Sequence, residues 1–197
     1  MATARPHPRW LRQVPNALSL ARLLAVPVLA VLAALGREAA FTWVLIPALL
    51  TDIADGLIAR LYGLESRVGA MLDSVADTLL MFVSLYGLWT FFPEVVKDHA
   101  WLVGAAVGLW LLEDVLALAR YGRLSSFHTY LSKIVANLLG FFIGWLFLFG
   151  FEPWMLYVAM GASILASLEE IALVAWLPKW RADVCGLWWV WREGRGR

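Results

Sequence analysis

Four aspartates lie inside two apolar stretches of this 197-residue chain, where charged residues are not expected. Asp52 and Asp55 lie in one stretch, and Asp73 and Asp77 lie in the next. Spacings of three and four residues place each pair on one face of a helix. An aspartate at the centre of a bilayer costs at least about 2.5 kcal/mol, and such residues are functional candidates by default. These carboxylates are therefore the chain's first candidates for chemistry.

Four carboxylates that face one another without cations repel strongly. Either some of them stay protonated, or hard cations lie among them, and oxygen ligands suit Mg²⁺ or Mn²⁺. No histidine or cysteine lies between residues 52 and 77, which argues against zinc. A purely structural alternative pairs the acids with Arg60 and Arg67, but two arginines cannot neutralise four carboxylates. The pattern therefore favours a centre for divalent cations.

Small residues and an arginine accompany the acids. Gly56 and Ala59 follow the first pair, and Gly69 precedes the second. Small side chains let helices approach closely, or they leave room for a flat ligand. Arg60 adds a rigid positive fork suited to phosphate. Cations, an arginine and an apolar slot together indicate a diphosphate substrate with a lipid tail.

The composition indicates which class of protein carries these acids. Hydrophobic residues make up 62% of the chain and charged residues 16%, whereas a soluble domain is about 25% charged. A soluble globular domain and a disordered chain are both excluded on this ground. The net charge of +1 predicts no nucleic-acid partner. The single cysteine, Cys185, excludes an internal disulfide and a cysteine-rich metal site. The chain is therefore expected to be an integral membrane protein with one compact domain.

Six apolar stretches are long enough to cross a bilayer, for which a helix needs about 20 residues. The fold class expected is all-α, a polytopic membrane protein with six transmembrane helices. The stretches are Ala17–Leu35, Phe41–Leu61, Gly69–Phe92, Ala100–Tyr121, Thr129–Phe149 and Trp154–Leu177.

The distribution of Lys and Arg predicts the orientation. Twelve of these residues would lie on one side of the membrane and two, Arg37 and Lys97, on the other. This asymmetry places both termini in the cytoplasm. We expect a juxtamembrane segment at 1–16, which either lies on the membrane surface or is a disordered basic tail. We also expect a catalytic domain at 17–177 and a cytoplasmic-face tail at 178–197. The protein is expected in a bacterial-type inner membrane, with its active site toward the cytoplasm.

The acidic pattern from Asp52 to Asp77 reads Asp, two residues, Asp-Gly, two residues, Ala-Arg, eight residues, Gly, three residues, Asp, three residues, Asp. These eight fixed positions over 26 residues are identified as the signature of the CDP-alcohol phosphotransferase (CDP-alcohol phosphatidyltransferase) family. The opening Pro15-Asn16 with Arg22 and Pro27 also resembles the bacterial phosphatidylglycerophosphate synthase and cardiolipin synthase branches. The similarity is strong over residues 14–80, and beyond them it is architectural.

The resemblance implies a reaction in which an alcohol attacks the β-phosphate of a CDP-linked lipid, usually CDP-diacylglycerol, and CMP leaves. It implies that two divalent cations, Mg²⁺ or Mn²⁺, are held by Asp52, Asp55, Asp73 and Asp77. It also implies that Asp77 is the catalytic general base, which must lie within hydrogen-bond reach of the hydroxyl proton; spacing alone does not decide which aspartate this is. The CDP-lipid-binding residues that it implies are Asp52, Gly56, Ala59, Arg60, Gly69 and Asp73.

The acceptor alcohol is less clearly marked. Basic side chains and hydroxyl groups near the junction of the fourth and fifth stretches could hold an acceptor phosphate. Glycerol 3-phosphate is the first candidate, and inositol phosphate, serine and phosphatidylglycerol are the alternatives. The synthases that use glycerol 3-phosphate carry Gly-Lys-Ile-x-Thr here, whereas this chain has Ser132-Lys133-Ile134-Val135-Ala136. Alternatively, the arginines simply anchor the helices on the cytoplasmic side. The acceptor-binding candidates are Arg120, Arg123, Ser126 and Lys133.

Two further acidic pairs, Glu113-Asp114 and Glu169-Glu170, are expected to pair with Arg120, Lys133 or Arg22; alternatively, one member could bind the acceptor. Small residues at four-residue spacing in the fifth stretch form a packing face, and the resemblance implies a possible homodimer.

Two other function classes remain as alternatives. An ion-coupled transporter is disfavoured because the acidic pattern has no inverted repeat, and a non-catalytic scaffold is disfavoured because the signature is intact.

Overall fold

A computed structural model describes residues 14–62, 67–122, 129–178 and 184–194. Within these ranges the side chains at 14–15, 52–62, 67–68, 70, 74 and 193–194 are not described. The described residues contain helices and connecting turns but no β-strand. The helices are α1 (Val14–Ala34), α2 (Glu38–Tyr62), α3 (Arg67–Phe91), α4 (Pro93–Asp98), α5 (Ala100–Tyr121), α6 (Tyr130–Phe149), α7 (Pro153–Trp176) and α8 (Leu187–Gly194).

Residues with special backbone or capping properties mark the ends of the long helices. After α1 the backbone turns at Gly36, where φ is +66°, and the Arg37 N–H donates to the Leu32 carbonyl. This is the bonding pattern of a Schellman cap. α5 ends at Gly122, where φ is +70°. α6 begins after Thr129, whose hydroxyl accepts the N–H of Ser132 at 3.1 Å. The breaks between apolar stretches are therefore built from ordinary capping chemistry.

Each of the six predicted stretches corresponds to one long helix, with ends that differ by at most three residues. Five of these helices, α1, α3, α5, α6 and α7, are long and apolar enough to cross a membrane within the described residues. In α2 the residues with described side chains, Glu38–Thr51, form a shorter apolar helical segment. Large apolar side chains on the helix surfaces are exposed, including Leu24 (63%), Trp101 (70%) and Phe149 (70%). Such apolar surfaces suit a lipid environment.

The first structural unit covers residues 1–94 and is organised around α1. α1 packs against both α2 and α3, and these contacts are more extensive than those between α2 and α3. Leu29 of α1, Leu45 of α2 and Ala76 of α3 are among its fully buried side chains. Side chains of α1 therefore lie next to the helix that carries the second aspartate pair.

The second unit covers residues 95–197, and α7 is its central helix. α5, α6 and α8 each pack against α7. Val184 and Val190 from the predicted tail are buried against Leu173 and Val174 of α7. The described part of the tail is therefore packed on the helices of this unit.

Gly87 of α3 lies directly against the ring of Phe41, which is fully buried. A Cβ atom at position 87 would lie 2.4 Å from Cζ of Phe41. Because the enclosed ring cannot move freely, we expect Gly87→Ala to destabilise the fold by about 1–3 kcal/mol despite the better helix propensity of alanine. Thermal unfolding in detergent, followed by circular dichroism, measures this loss.

Gly108→Ala in α5 is the matched control, because a Cβ atom there meets nothing within 4 Å. We expect this control to leave the unfolding temperature unchanged or slightly higher. Equal unfolding temperatures for the two variants would contradict the tight contact between α2 and α3.

Candidate active site

The second aspartate pair lies on one face of α3. Asp73 and Asp77 are one turn apart in a continuous helix, with 39% and 41% of their side chains exposed. Gly69 lies one turn before them on the same helix. The two carboxylates are therefore close to each other and accessible, while α3 as a whole is apolar.

A buried arginine of α1 contacts both carboxylates. The Arg22 side chain has no exposed surface, and its Nη1 and Nη2 atoms each donate to Oδ1 of Asp73 at 3.2 Å. Nη1 also donates to Oδ1 of Asp77. One turn earlier, the Ser19 hydroxyl donates to the same Asp73 oxygen at 3.3 Å. The acidic face of α3 is thus paired with a polar face of α1.

The first aspartate pair and its companions belong to α2. Asp52, Asp55, Gly56, Ala59 and Arg60 all fall within the helical range of α2, which contacts α1 and α3. Their side chains lie outside the described residues, as does that of Arg67. The structure therefore places the whole signature on two helices of one unit, and it resolves side-chain contacts for the second pair.

The donor chemistry fits a hard divalent cation. Within the described residues no group of three or more metal-binding side chains comes together, so the described donors are the carboxylates of Asp73 and Asp77. Carboxylate oxygens are the ligands that Mg²⁺ and Mn²⁺ prefer. The signature adds two more carboxylates, Asp52 and Asp55, and no nitrogen or sulfur ligand.

The acceptor-binding candidates lie in the second unit. Arg120 is in the last turn of α5, is exposed, and donates from Nη2 to the Leu177 carbonyl at 3.3 Å. Lys133 is exposed in the first turn of α6. Arg123 and Ser126 lie outside the described residues. The two described basic side chains, those of Arg120 and Lys133, therefore lie on either side of the segment that joins α5 to α6.

Comparison with known proteins identifies the family. Residues 12–166 match the family described as CDP-alcohol phosphatidyltransferase. The chain belongs to this family. As a phosphatidyltransferase of this family it is an enzyme of phospholipid synthesis, and the family generally uses a divalent metal. The family and the long apolar helices together indicate an integral membrane protein.

Individual relatives of this phosphatidyltransferase carry two kinds of name. A protein of Mycobacterium tuberculosis strain H37Rv, provisionally named cardiolipin synthase, is 31% identical over 185 residues, which cover 84% of this chain and 86% of the relative. The CDP-diacylglycerol–glycerol-3-phosphate 3-phosphatidyltransferase of Cereibacter sphaeroides is 40% identical over 76 residues, 36% of this chain and 34% of the relative. An Arabidopsis thaliana protein named CDP-diacylglycerol–glycerol-3-phosphate 3-phosphatidyltransferase 2 is 42% identical over 96 residues, 46% and 41% of the two chains. No solved structure is a significant match.

The contact between Arg22 and the second aspartate pair was not predicted from the sequence. The sequence names Arg22 as one of three possible partners for the acids of the second half, with Arg120 and Lys133; in the structure its guanidinium contacts Asp73 and Asp77. One sequence signal could have found it, since Arg22 is the single charged residue in the first apolar stretch. A buried arginine needs a carboxylate partner, and α3 offers one.

The acids of the second unit find other partners. The carboxyl of buried Glu113 lies next to Ser167 and Glu170 of α7. Oε1 of Glu169 accepts the N–H of Leu187 at the start of α8, at 3.0 Å. These partners are a hydroxyl, a carboxyl and a backbone amide, so the expected pairing with Arg120, Lys133 or Arg22 is wrong for both glutamates. Their contacts join helices of the second unit to each other.

The hydroxyl of Tyr121 lies 2.9 Å and 2.7 Å from the carbonyls of Val174 and Leu177 at the end of α7. Tyr121→Phe removes this donor and leaves the carbonyls with fewer partners, so we expect a loss of about 1 kcal/mol. For a chain of this size the unfolding temperature then falls by about 2–4 °C.

Arg120→Gln is the comparison, because the Arg120 guanidinium is exposed and its contact with the same helix end is longer, at 3.3 Å. We expect this variant to unfold within about 0.5 kcal/mol of the wild type. A loss as large as that of Tyr121→Phe would mean that Arg120 serves chiefly to cap α7, and it would weaken its assignment to the acceptor.

Proposed function

We propose that this phosphatidyltransferase transfers the phosphatidyl group of CDP-diacylglycerol to a primary hydroxyl of a glycerol phosphate and releases CMP. A bond forms between the acceptor oxygen and the β-phosphorus, and the bond from that phosphorus to the bridging oxygen breaks. CMP leaves with the bridging oxygen. The observation that carries the proposal is the pair of accessible carboxylates of Asp73 and Asp77 on α3, within a complete family signature.

The signature residues would divide the work by their chemistry. Asp52, Asp55, Asp73 and Asp77 would hold two divalent cations, Mg²⁺ or Mn²⁺, which neutralise phosphate oxygens when bound. Arg60 would contact the diphosphate, where a planar guanidinium is well suited to phosphate oxygens. The residues that would bind the CDP-lipid, or leave room for its cytidine, are Asp52, Gly56, Ala59, Arg60, Gly69 and Asp73.

We assign the general base to Asp77. Its side chain is 41% exposed, so an incoming hydroxyl can reach it. A base must lie within hydrogen-bond distance of the proton that it accepts. Because Arg22 contacts the carboxylate of Asp77, little conformational entropy is lost when this carboxylate is held in position for the reaction. The hydroxyl proton would pass to this carboxylate as the new oxygen–phosphorus bond forms.

Glycerol 3-phosphate is the first candidate acceptor, with Arg120, Arg123, Ser126 and Lys133 holding its phosphate. Phosphatidylglycerol is the second candidate, because the relatives that cover most of this chain are provisionally named cardiolipin synthases. Relatives named for glycerol 3-phosphate match between 36% and 46% of the chain. Both acceptors present a glycerol phosphate with a free primary hydroxyl.

The proposed membrane arrangement has α1, α2, α3, α5, α6 and α7 crossing the bilayer. Both termini, and the segments 1–16 and 178–197, would lie on the cytoplasmic side of a bacterial-type inner membrane, with the active site facing the cytoplasm. The asymmetry of Lys and Arg supports this orientation. A homodimer through the small residues of α6 stays a prediction.

Release of radiolabelled CMP from CDP-diacylglycerol tests the reaction and the acceptor together. Purified protein with Mn²⁺ or Mg²⁺ would be supplied in parallel with glycerol 3-phosphate, phosphatidylglycerol, inositol phosphate, serine and inositol. We expect release with glycerol 3-phosphate, and Lys133→Gln is expected to raise the KM for this acceptor. Release with phosphatidylglycerol alone would replace the first candidate by the second. A folded protein that releases CMP with none of them would contradict the proposal.

Asp77→Asn tests the assignment of the base. We expect phosphatidyl transfer to fall by at least about 10²-fold, because the amide cannot accept the hydroxyl proton. Binding of CDP-diacylglycerol, measured by isothermal calorimetry in detergent, should change little. Asp98→Asn is the matched control at an exposed aspartate of α4, and it should keep wild-type turnover. Normal turnover by Asp77→Asn would rule out this base.

A further inference from the structure

Arg22 lies outside the eight-position signature, yet its guanidinium contacts both carboxylates of the second aspartate pair. Its side chain is completely buried between α1 and α3. Burying a guanidinium is costly unless carboxylates compensate its charge. The carboxylates of Asp73 and Asp77 supply that compensation.

The geometry of the contact is specific. Both Nη atoms reach Oδ1 of Asp73, and Nη1 also reaches Oδ1 of Asp77. The Ser19 hydroxyl adds a further contact to the same oxygen of Asp73. These contacts end on the Oδ1 atoms, so α1 fixes the orientation of each carboxylate through one of its two oxygens. The planar fork of arginine is suited to such bridging, whereas the ammonium group of lysine is a compact point charge.

We propose that Arg22 is a positioning residue that serves as the built-in counter-charge of the acidic site. It neutralises part of the charge of Asp73 and Asp77, and it holds both carboxylates in place when no divalent cation is bound. The proposal rests on the proposed function insofar as it takes these two aspartates as metal ligands. Arg22 acts through the carboxylates.

The physical reason is repulsion among like charges. Two carboxylates one turn apart in an apolar helix unit repel each other unless a positive charge lies between them. A divalent cation supplies that charge, and so does the guanidinium of Arg22. Their stabilising effects therefore overlap, and the loss of Arg22 should matter most when no cation is present. A residue that merely joined α1 to α3 would matter equally in both conditions.

The first test measures thermal unfolding of the purified full-length protein in detergent, once with EDTA and once with Mn²⁺. We expect Arg22→Gln to lower the unfolding temperature by at least about 5 °C in EDTA, and Mn²⁺ to restore half of the loss or more. Arg37→Gln, at an exposed arginine beyond the end of α1, is the matched control and should change neither value. An equal loss in both conditions, or no loss in either, would overturn the proposal.

The second test measures the coupling between the two partners in EDTA. Arg22→Gln together with Asp77→Asn removes one charge of each sign, so the double variant should unfold at a higher temperature than Arg22→Gln alone. Arg22→Lys should lose less than Arg22→Gln, because it keeps the charge. If Arg22→Gln does not fold, recovery of a folded protein by the double variant supports the coupling. Additive losses, or a double variant that also fails to fold, would overturn it.

The two proposals fail in different ways. If Mn²⁺ does not change the unfolding temperature of the wild-type protein, the metal-ligand roles in the proposed function are overturned. The overlap between the stabilising effects of Arg22 and of a bound cation is then overturned with them. If the protein turns over a glycerol phosphate but the double variant shows no coupling between Arg22 and Asp77, only the counter-charge role of Arg22 is overturned.

Discussion

Charge compensation inside an apolar helical unit is the constraint on which the rest of this molecule depends. Carboxylates placed in such surroundings need positive charge close by, because the low dielectric strengthens both repulsion and attraction. In the first unit a fully buried arginine, Arg22, meets this need for Asp73 and Asp77. The contact joins α1 to α3, and in the proposed function the same two carboxylates would hold divalent cations.

In the second unit, the partners of two described acids, Glu113 and Glu169, are not cations. Glu113 lies next to Ser167 and Glu170, and the carboxylate of Glu169 accepts a backbone N–H of α8. Such contacts between helices are favourable where little water is available to replace them. They tie α5 and α8 to α7, so α8 is part of the packed unit.

Much of the fold could be predicted from the sequence, because its determinants are local. Continuous apolar runs of about 20 residues can satisfy their backbone groups only as helices, and Gly122 and Thr129 mark helix ends through their own conformation and capping. The helix ends agreed within three residues for this reason. The signature was equally readable, since its meaning lies in the spacing of residues along two helices.

The sequence by itself therefore determined the helices, the class of the enzyme and the two aspartate pairs. Only the tertiary structure decided which partners the buried charges have, because Arg22 and Asp77 are 55 residues apart and meet only after α1 packs on α3. The same holds for Glu113 and Glu170, which were expected beside cations and lie beside each other. Spacing along one helix shows which side chains share a face, whereas the partner across an interface depends on how two helices pack.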